Sequence, residues 1–252
     1  MFYGRTPLLE NKKNTGHHVT TVGSENFATT SGSGCLSTRK EAICCSATSS
    51  IFLEVRLIES TCEFIEAAVH TILCIRGVYP RVIFKAMQKF NAPVRMSRHE
   101  KLTDYISDVV EGLYQTMKKG IVHKVELLIL KQVGDSQKLA EKYIFEIGPE
   151  IAQAKFTESI HADFRACLIR LLSMDMVRPR QKGSDLTFTL RMITSALSDS
   201  ADKSWVAVGP QTDPWDRGAV TSNRKTQNLK ITPIHHMKKP MSLSMYAMIN
   251  EN

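Results

Sequence analysis

The chain is short of the signatures by which catalysis announces itself. Its 252 residues contain no Gly-x-Gly-x-x-Gly, no phosphate-binding Gly-rich lysine motif, no Gly-x-Ser-x-Gly and no His-Glu-x-x-His. His99-Glu100 runs on into Lys-Leu-Thr, and His235-His236 has no third ligand spaced to complete a metal site, so neither cofactor nor metal is expected. The six cysteines include no Cys-x-x-Cys pair, and the opening stretch does not read as a secretory signal. Free thiols in a reducing compartment, cytosol or nucleus, are expected. No apolar run reaches the ~18 residues that a membrane span needs.

What is present is an ordinary globular composition with an excess of base. Thirty-three Lys and Arg against 25 Asp and Glu give a formal charge of +8, which favours acidic partners or nucleic acid. The basic stretches, Arg178-Pro-Arg-Gln-Lys182 and the run around Lys238-Lys239, carry no interleaved aromatics on which bases could stack. A nucleic-acid-binding protein is therefore the alternative from another class, not the leading reading.

The first fifty residues are rich in Ser, Thr, Gly and Asn and keep no period of 2 or 3.6. Such a stretch buries too little apolar surface to offset its ordering entropy, so residues 1–50 are expected to be disordered. Glu10, Glu25 and Glu41 argue against a transit peptide.

From Val55 to Arg76 the apolar residues recur every three or four places, predicting a helix that Gly77 ends. Glu59, Glu63, Glu66 and Arg76 are its expected wet edge. Short strands are expected between Arg81 and Met96. Ser97-x-x-Glu100 reads as a capping box for a second helix that Lys118-Lys119-Gly120 closes. Val122–Lys131 and Leu139–Ile147 flank Gly134-Asp-Ser-Gln and predict a hairpin. A third helix follows to about Met176, then a strand from Leu186 to Ala196. After Leu197 the pattern loosens around Trp205 and Trp215, and Met241–Ile249 reads as a last strand pairing back onto the sheet. The fold class is α+β, with three helices on one face of an antiparallel sheet.

The run Cys62-Glu-Phe-Ile-Glu-Ala-Ala-Val-His-Thr-Ile-Leu-Cys-Ile-Arg-Gly-Val-Tyr-Pro80 resembles the first helix of a HORMA domain. Phe90–Ile106, Glu141–Ile147 and Ile231-Thr-Pro-Ile234 are similar to the branch that serves as the accessory subunit of translesion DNA polymerase zeta, related to the spindle-checkpoint Mad adaptor. The resemblance divides the chain into a Ser/Thr/Gly-rich extension at 1–50 and a HORMA domain at 51–252. Within that domain it implies a core at about 55–196 and a C-terminal safety belt at about 197–252.

It implies mechanics rather than catalysis. The belt wraps an extended partner peptide, here of the polymerase zeta catalytic subunit, with Tyr105 packing on it and Trp205 closing over it. Trp215 competes for that last place, because the spacing to Ile231 does not decide. Ile231, Ser244 and Tyr246 align with the surface that docks the C-terminal domain of a scaffold translesion polymerase; Ser244 departs from the family's longer amide. Arg165 matches the arginine of a homo- or heterodimer interface, and Arg170 stands where the family more often has lysine. The same resemblance implies a nuclear location, with cytoplasm also open to it, and an AAA+ remodeller as a further partner. A spindle-checkpoint or chromosome-axis adaptor is the alternative within the family. No membrane and no sequence-specific nucleic acid are expected as partners.

Overall fold

In the computed structural model of the chain, residues 2–4, 41–154, 156–177, 186–195, 205–207, 229–238 and 241–250 are described. Helix α1 runs from Glu41 to Ile75, helix α2 from Glu100 to Lys118 and helix α3 from Glu158 to Val177. The strands are β1 (Phe2–Gly4), β2 (Phe84–Lys89), β3 (Ala92–Ser97), β4 (Val122–Val133), β5 (Ser136–Ile147), β6 (Leu186–Thr194), β7 (Trp205–Ala207), β8 (Leu229–Met237) and β9 (Leu243–Asn250). Seven of them form one sheet in the order β7-β1-β6-β4-β5-β9-β8, every pairing antiparallel, while β2 and β3 make a separate hairpin. The α+β arrangement expected from the sequence is the one observed.

Helix α1 is the hub. Phe64, Ile65, Ala68, Val69, Ile72 and Leu73 are all buried, in one core shared with α2, α3 and alternate residues of β4, β5, β6 and β9. Its end follows from Gly77, at φ +71°. The Gly77 N–H bonds the Cys74 carbonyl at 3.2 Å and the Val78 N–H bonds the Leu73 carbonyl at 3.1 Å, the paired pattern of a left-handed glycine stop.

Three local expectations are corrected. The helix begins at Glu41 rather than Val55, so the expected disorder of the first fifty residues does not extend over 41–50, nor over Phe2–Gly4. No Gly or Pro interrupts Glu41–Ile75, and Ser and Thr weaken a helix interior by only tenths of a kcal/mol, roughly, so the good helix beyond draws its Ser-rich start along. The capping box does not form. Ser97 is the last residue of β3, held opposite Phe84, and its hydroxyl accepts from the His99 N–H at 3.0 Å. Arg76, finally, is no wet edge. It is 4% exposed, and its Nε donates at 2.8 Å to Glu141 Oε2 while Nη2 donates to Oε1. Tyr143 donates to the same carboxylate at 2.9 Å.

The β2–β3 hairpin turns at Phe90 and Asn91, with φ values of +52° and +54°. Two left-handed residues match the right-handed twist of a two-residue hairpin. Asn tolerates this well; Phe90 does so with its ring packed 5.2 Å from Phe164 and 5.0 Å from His161 on α3. No helix among the described residues is long and apolar enough to cross a membrane.

Candidate peptide-capture site

Strand periodicity sorts the sheet into two faces. Leu243, Met245, Ala247 and Ile249 of β9 lie in the core beneath the helices, which leaves Ser244, Tyr246 and Met248 on the outer face. Between β7 and β8 the chain passes from one end of the sheet to the other, so the C-terminal segment is paired at both ends of the order. Residues 208–228, Trp215 among them, lie outside those described.

At the β7 end, Trp205 is 4% exposed and its indole Nε1 donates to the Val109 carbonyl of α2 at 3.0 Å. Val109 follows Tyr105 by one helical turn. The Tyr105 ring meets Phe188 of β6 edge-on, centroids 5.7 Å apart, and Tyr79 approaches the same Phe188 at 6.1 Å. The Tyr105 hydroxyl is buried, with no hydrogen-bond partner among the described residues. Burial pushes its pKa far above the ordinary tyrosine range, with Tyr79 adding to the rise. A buried donor left without an acceptor costs about 1–3 kcal/mol. Tyr105 and Trp205 are thus gathered on one helix, while β6 and β7 flank the place between them.

At the other end, β8 pairs only with β9 among the described residues. Ile231 stands opposite Met248, Pro233 opposite Tyr246 and His236 opposite Ser244, so Ile231, Ser244 and Tyr246 share the outer face. Ile231 is 61% exposed. The Tyr246 hydroxyl donates to Glu146 Oε1 at 2.8 Å, and Lys124 Nζ reaches the same oxygen at 2.8 Å. The Lys124 bond holds the Glu146 carboxyl below the usual range, and partial burial followed by that carboxylate pushes Tyr246 up to about 12. Ser244 Oγ lies 2.7 Å from His236 Nδ1.

The two arginines of α3 part company. Arg165 is exposed beside Glu63, Glu158 and His161. Arg170, about 140° further around the helix, donates through Nη1 to the Ile234 carbonyl of β8 at 3.1 Å. His235 turns to Asp163, 3.4 Å away, while its neighbour His236 sits on the outer face, so the His pair cannot converge on one ion. No metal-holding cluster of His, Cys, Asp and Glu occurs among the described residues.

The pattern of the HORMA domain matches residues 58–192. The chain belongs to the HORMA domain family. It is 43% identical over 86 residues to the human mitotic spindle assembly checkpoint protein MAD2B, covering 34% of this chain and 39% of that one. It is 26% identical over 189 residues to the DNA polymerase zeta processivity subunit of Arabidopsis thaliana, covering 73% and 81%. The chain spans between 39% and 56% of the length of the first curated relatives it matches. Among solved structures, a chain of the mitotic checkpoint complex superposes with a TM-score of 0.61 at 19% identity, covering 77% of this chain and 99% of that one. The HORMA fold is thereby shared, and the resemblance read from Cys62–Pro80 and Phe90–Ile106 holds.

Three features of this HORMA chain escape sequence reading. Phe188 joins Tyr79 to Tyr105, but in sequence it is one apolar residue of an alternating strand. The carbonyl of Val109 carries no side-chain signature at all. Arg170 serves as a strap on β8, and nothing in the helix pattern separates it from Arg165.

Proposed function

We propose that this chain is a non-catalytic adaptor that captures an extended peptide of a partner beside β6, under Trp205. On this reading the peptide belongs to the catalytic subunit of DNA polymerase zeta, and the outer face at Ile231, Ser244 and Tyr246 docks the C-terminal domain of a scaffold polymerase in translesion synthesis. The protein would then work in the nucleus. The observation that carries the reading is Trp205, fixed to α2 one turn from Tyr105, on a segment whose later strands pair at the opposite end of the sheet. An added strand gains about 0.5–1.5 kcal/mol net per ladder bond, and about 1.5–3 kcal/mol for each apolar anchor fully buried. Ordering opposes this, so contacts alone give moderate affinity, and a segment that must unpair before release supplies a slow off-rate.

The experiment is capture of a proline-containing peptide of the catalytic subunit by the chain and by Tyr105→Ala and Trp205→Ala. Loss in both variants, with unchanged circular dichroism, supports the reading; undiminished capture by both sinks it. A checkpoint adaptor is the second reading, favoured by the names of the MAD2B relatives. Co-purification with a checkpoint polypeptide in place of a polymerase would select it. A nucleic-acid binder would instead show a steep fall of affinity with salt in a mobility shift.

A further inference from the structure

The strand position between β6 and β7 already has an occupant. Phe2–Gly4 lies there antiparallel to both neighbours, Phe2 opposite Met192 and Ala207, Tyr3 opposite Arg191 and Val206, Gly4 opposite Trp205. We propose that Phe2–Gly4 is an internal stand-in for the partner peptide, closing the capture site until a longer extended segment displaces it. This rests on the capture reading above and names how the same site is regulated.

The segment is an inner strand of the order β7-β1-β6, so the Tyr3 amide faces a neighbouring strand whichever way it points. Its departure would strip one edge from β6 and, among the described residues, the only strand neighbour from β7. A strand in this position satisfies ladder groups that would otherwise be left bare next to a buried core.

The occupant fills that position incompletely. Strand β6 runs from Leu186 to Thr194, yet only Arg191 and Met192 are paired with β1. On that edge Leu186, Thr187, Phe188, Thr189 and Leu190 have no strand partner among the described residues. An extended guest of ordinary strand length, about 5–6 residues, would pair with several of these and still reach the place opposite Trp205. It would also pass Phe188, on which the Tyr105 ring rests. Gly4 brings no side chain to its place opposite Trp205, whereas a guest can bring one.

Attachment to the same chain explains how so short a strand holds the site. A tethered segment competes at an effective concentration that reaches the millimolar range, roughly, so a dilute guest meets an occupied position. The longer guest makes more ladder bonds and wins once it has begun to pair.

Capture of a labelled catalytic-subunit peptide is compared for the chain, for Tyr3→Pro and for a chain starting at Arg5. Proline cannot donate to either neighbouring strand. Both variants are expected to capture the peptide roughly tenfold faster than the chain, by the fraction of sites left open. The chain starting at Arg5 alone should bind a free peptide of the sequence Met-Phe-Tyr-Gly-Arg-Thr-Pro-Leu. Equal capture rates in all three, with capture intact, overturn the stand-in and leave the adaptor reading standing. No capture by any of them, with the free eight-residue peptide bound, overturns the partner and leaves the stand-in. Binding of neither peptide overturns both. If the shortened chain aggregates, amide exchange decides: whichever of the neighbouring Arg191 and Met192 amides points to β1 should exchange faster in Tyr3→Pro than in the parent chain, the other facing β4, and unchanged rates at both reject the proposal.

Discussion

Trp205 and Val109 are joined by one hydrogen bond across a long stretch of sequence, indole N–H to helix carbonyl, at 3.0 Å. The bond pins a three-residue strand to the middle of α2. Trp205→Phe keeps an aromatic ring there and removes the donor together with part of the buried ring volume. Loss of such a buried bond is worth about 1–3 kcal/mol, so captured peptide is expected to dissociate about 5–150-fold faster, with little change in association. Surface plasmon resonance with an immobilised catalytic-subunit peptide reads both rates.

The buried Arg76–Glu141 pair, shared with the Tyr143 hydroxyl, joins the end of α1 to β5. Removing one partner leaves a buried charge without its counter-ion, so Glu141→Ala is expected to cost about 3–5 kcal/mol. Tyr143→Phe, which deletes one of several bonds to the carboxylate, should cost about 1 kcal/mol. Urea unfolding followed by circular dichroism ranks the two, and an unchanged Glu141→Ala midpoint would contradict the burial.

His70 lies wholly buried in α1, and its Nδ1 accepts from the Ser97 N–H at 3.4 Å. Burial pushes its pKa down to about 4, from an ordinary 6.5. Since the unfolded chain takes up this proton first, stability is complete above pH 6.5 and falls as the pH drops towards 4. His70→Asn retains an acceptor and cannot titrate. The melting temperature of the variant should fall less steeply over that window than the parent's, by an amount on the order of 3 kcal/mol in free energy at its foot.

Tyr246 is half-buried and holds Glu146 from one side while Lys124 holds it from the other. Tyr246→Ala removes the ring from the outer face without touching Trp205 or Tyr105. Scaffold-domain binding is expected to weaken about tenfold, and catalytic-subunit capture to stay the same. Calorimetric titration of both ligands tests the separation; equal losses would mean that the change disrupts the C-terminal strands as a unit.

Arg165 and Arg170 should respond differently to alanine. Arg165→Ala is expected to shift any self-association seen by light scattering while leaving the melting temperature alone. Arg170→Ala removes the bond to the Ile234 carbonyl and should cost about 1 kcal/mol, with faster amide exchange along β8.

Much of this architecture was legible in the sequence because its cause is local. The stripe on α1, the glycine stop at Gly77 and the turn at Gly134 each follow from a few neighbouring residues, and each stands where expected. What escaped depends on contacts distant in sequence. Arg76 reads as solvated until Glu141 is brought beside it, and Ser97 reads as a cap until Phe84 claims it as a strand residue. The start of α1 was hidden by its Ser-rich composition, and the pairing of Phe2–Gly4 by its distance in sequence from β6 and β7; composition reports average propensity and not which segment finds a partner. For the site, Tyr105 and Trp205 were named through family resemblance; their convergence on α2 is a fact of the tertiary fold. Trp215 lies outside the described residues.

Pro233 sits on the outermost strand at one margin of the sheet, next to a register shift between Pro233 and His235. A proline withholds the amide that an incoming chain would need, and the irregular spacing spoils its alignment. Growth of the sheet at that margin is thereby hindered at one point of β8. Pairing of two molecules edge to edge along β8 is disfavoured for the same reason.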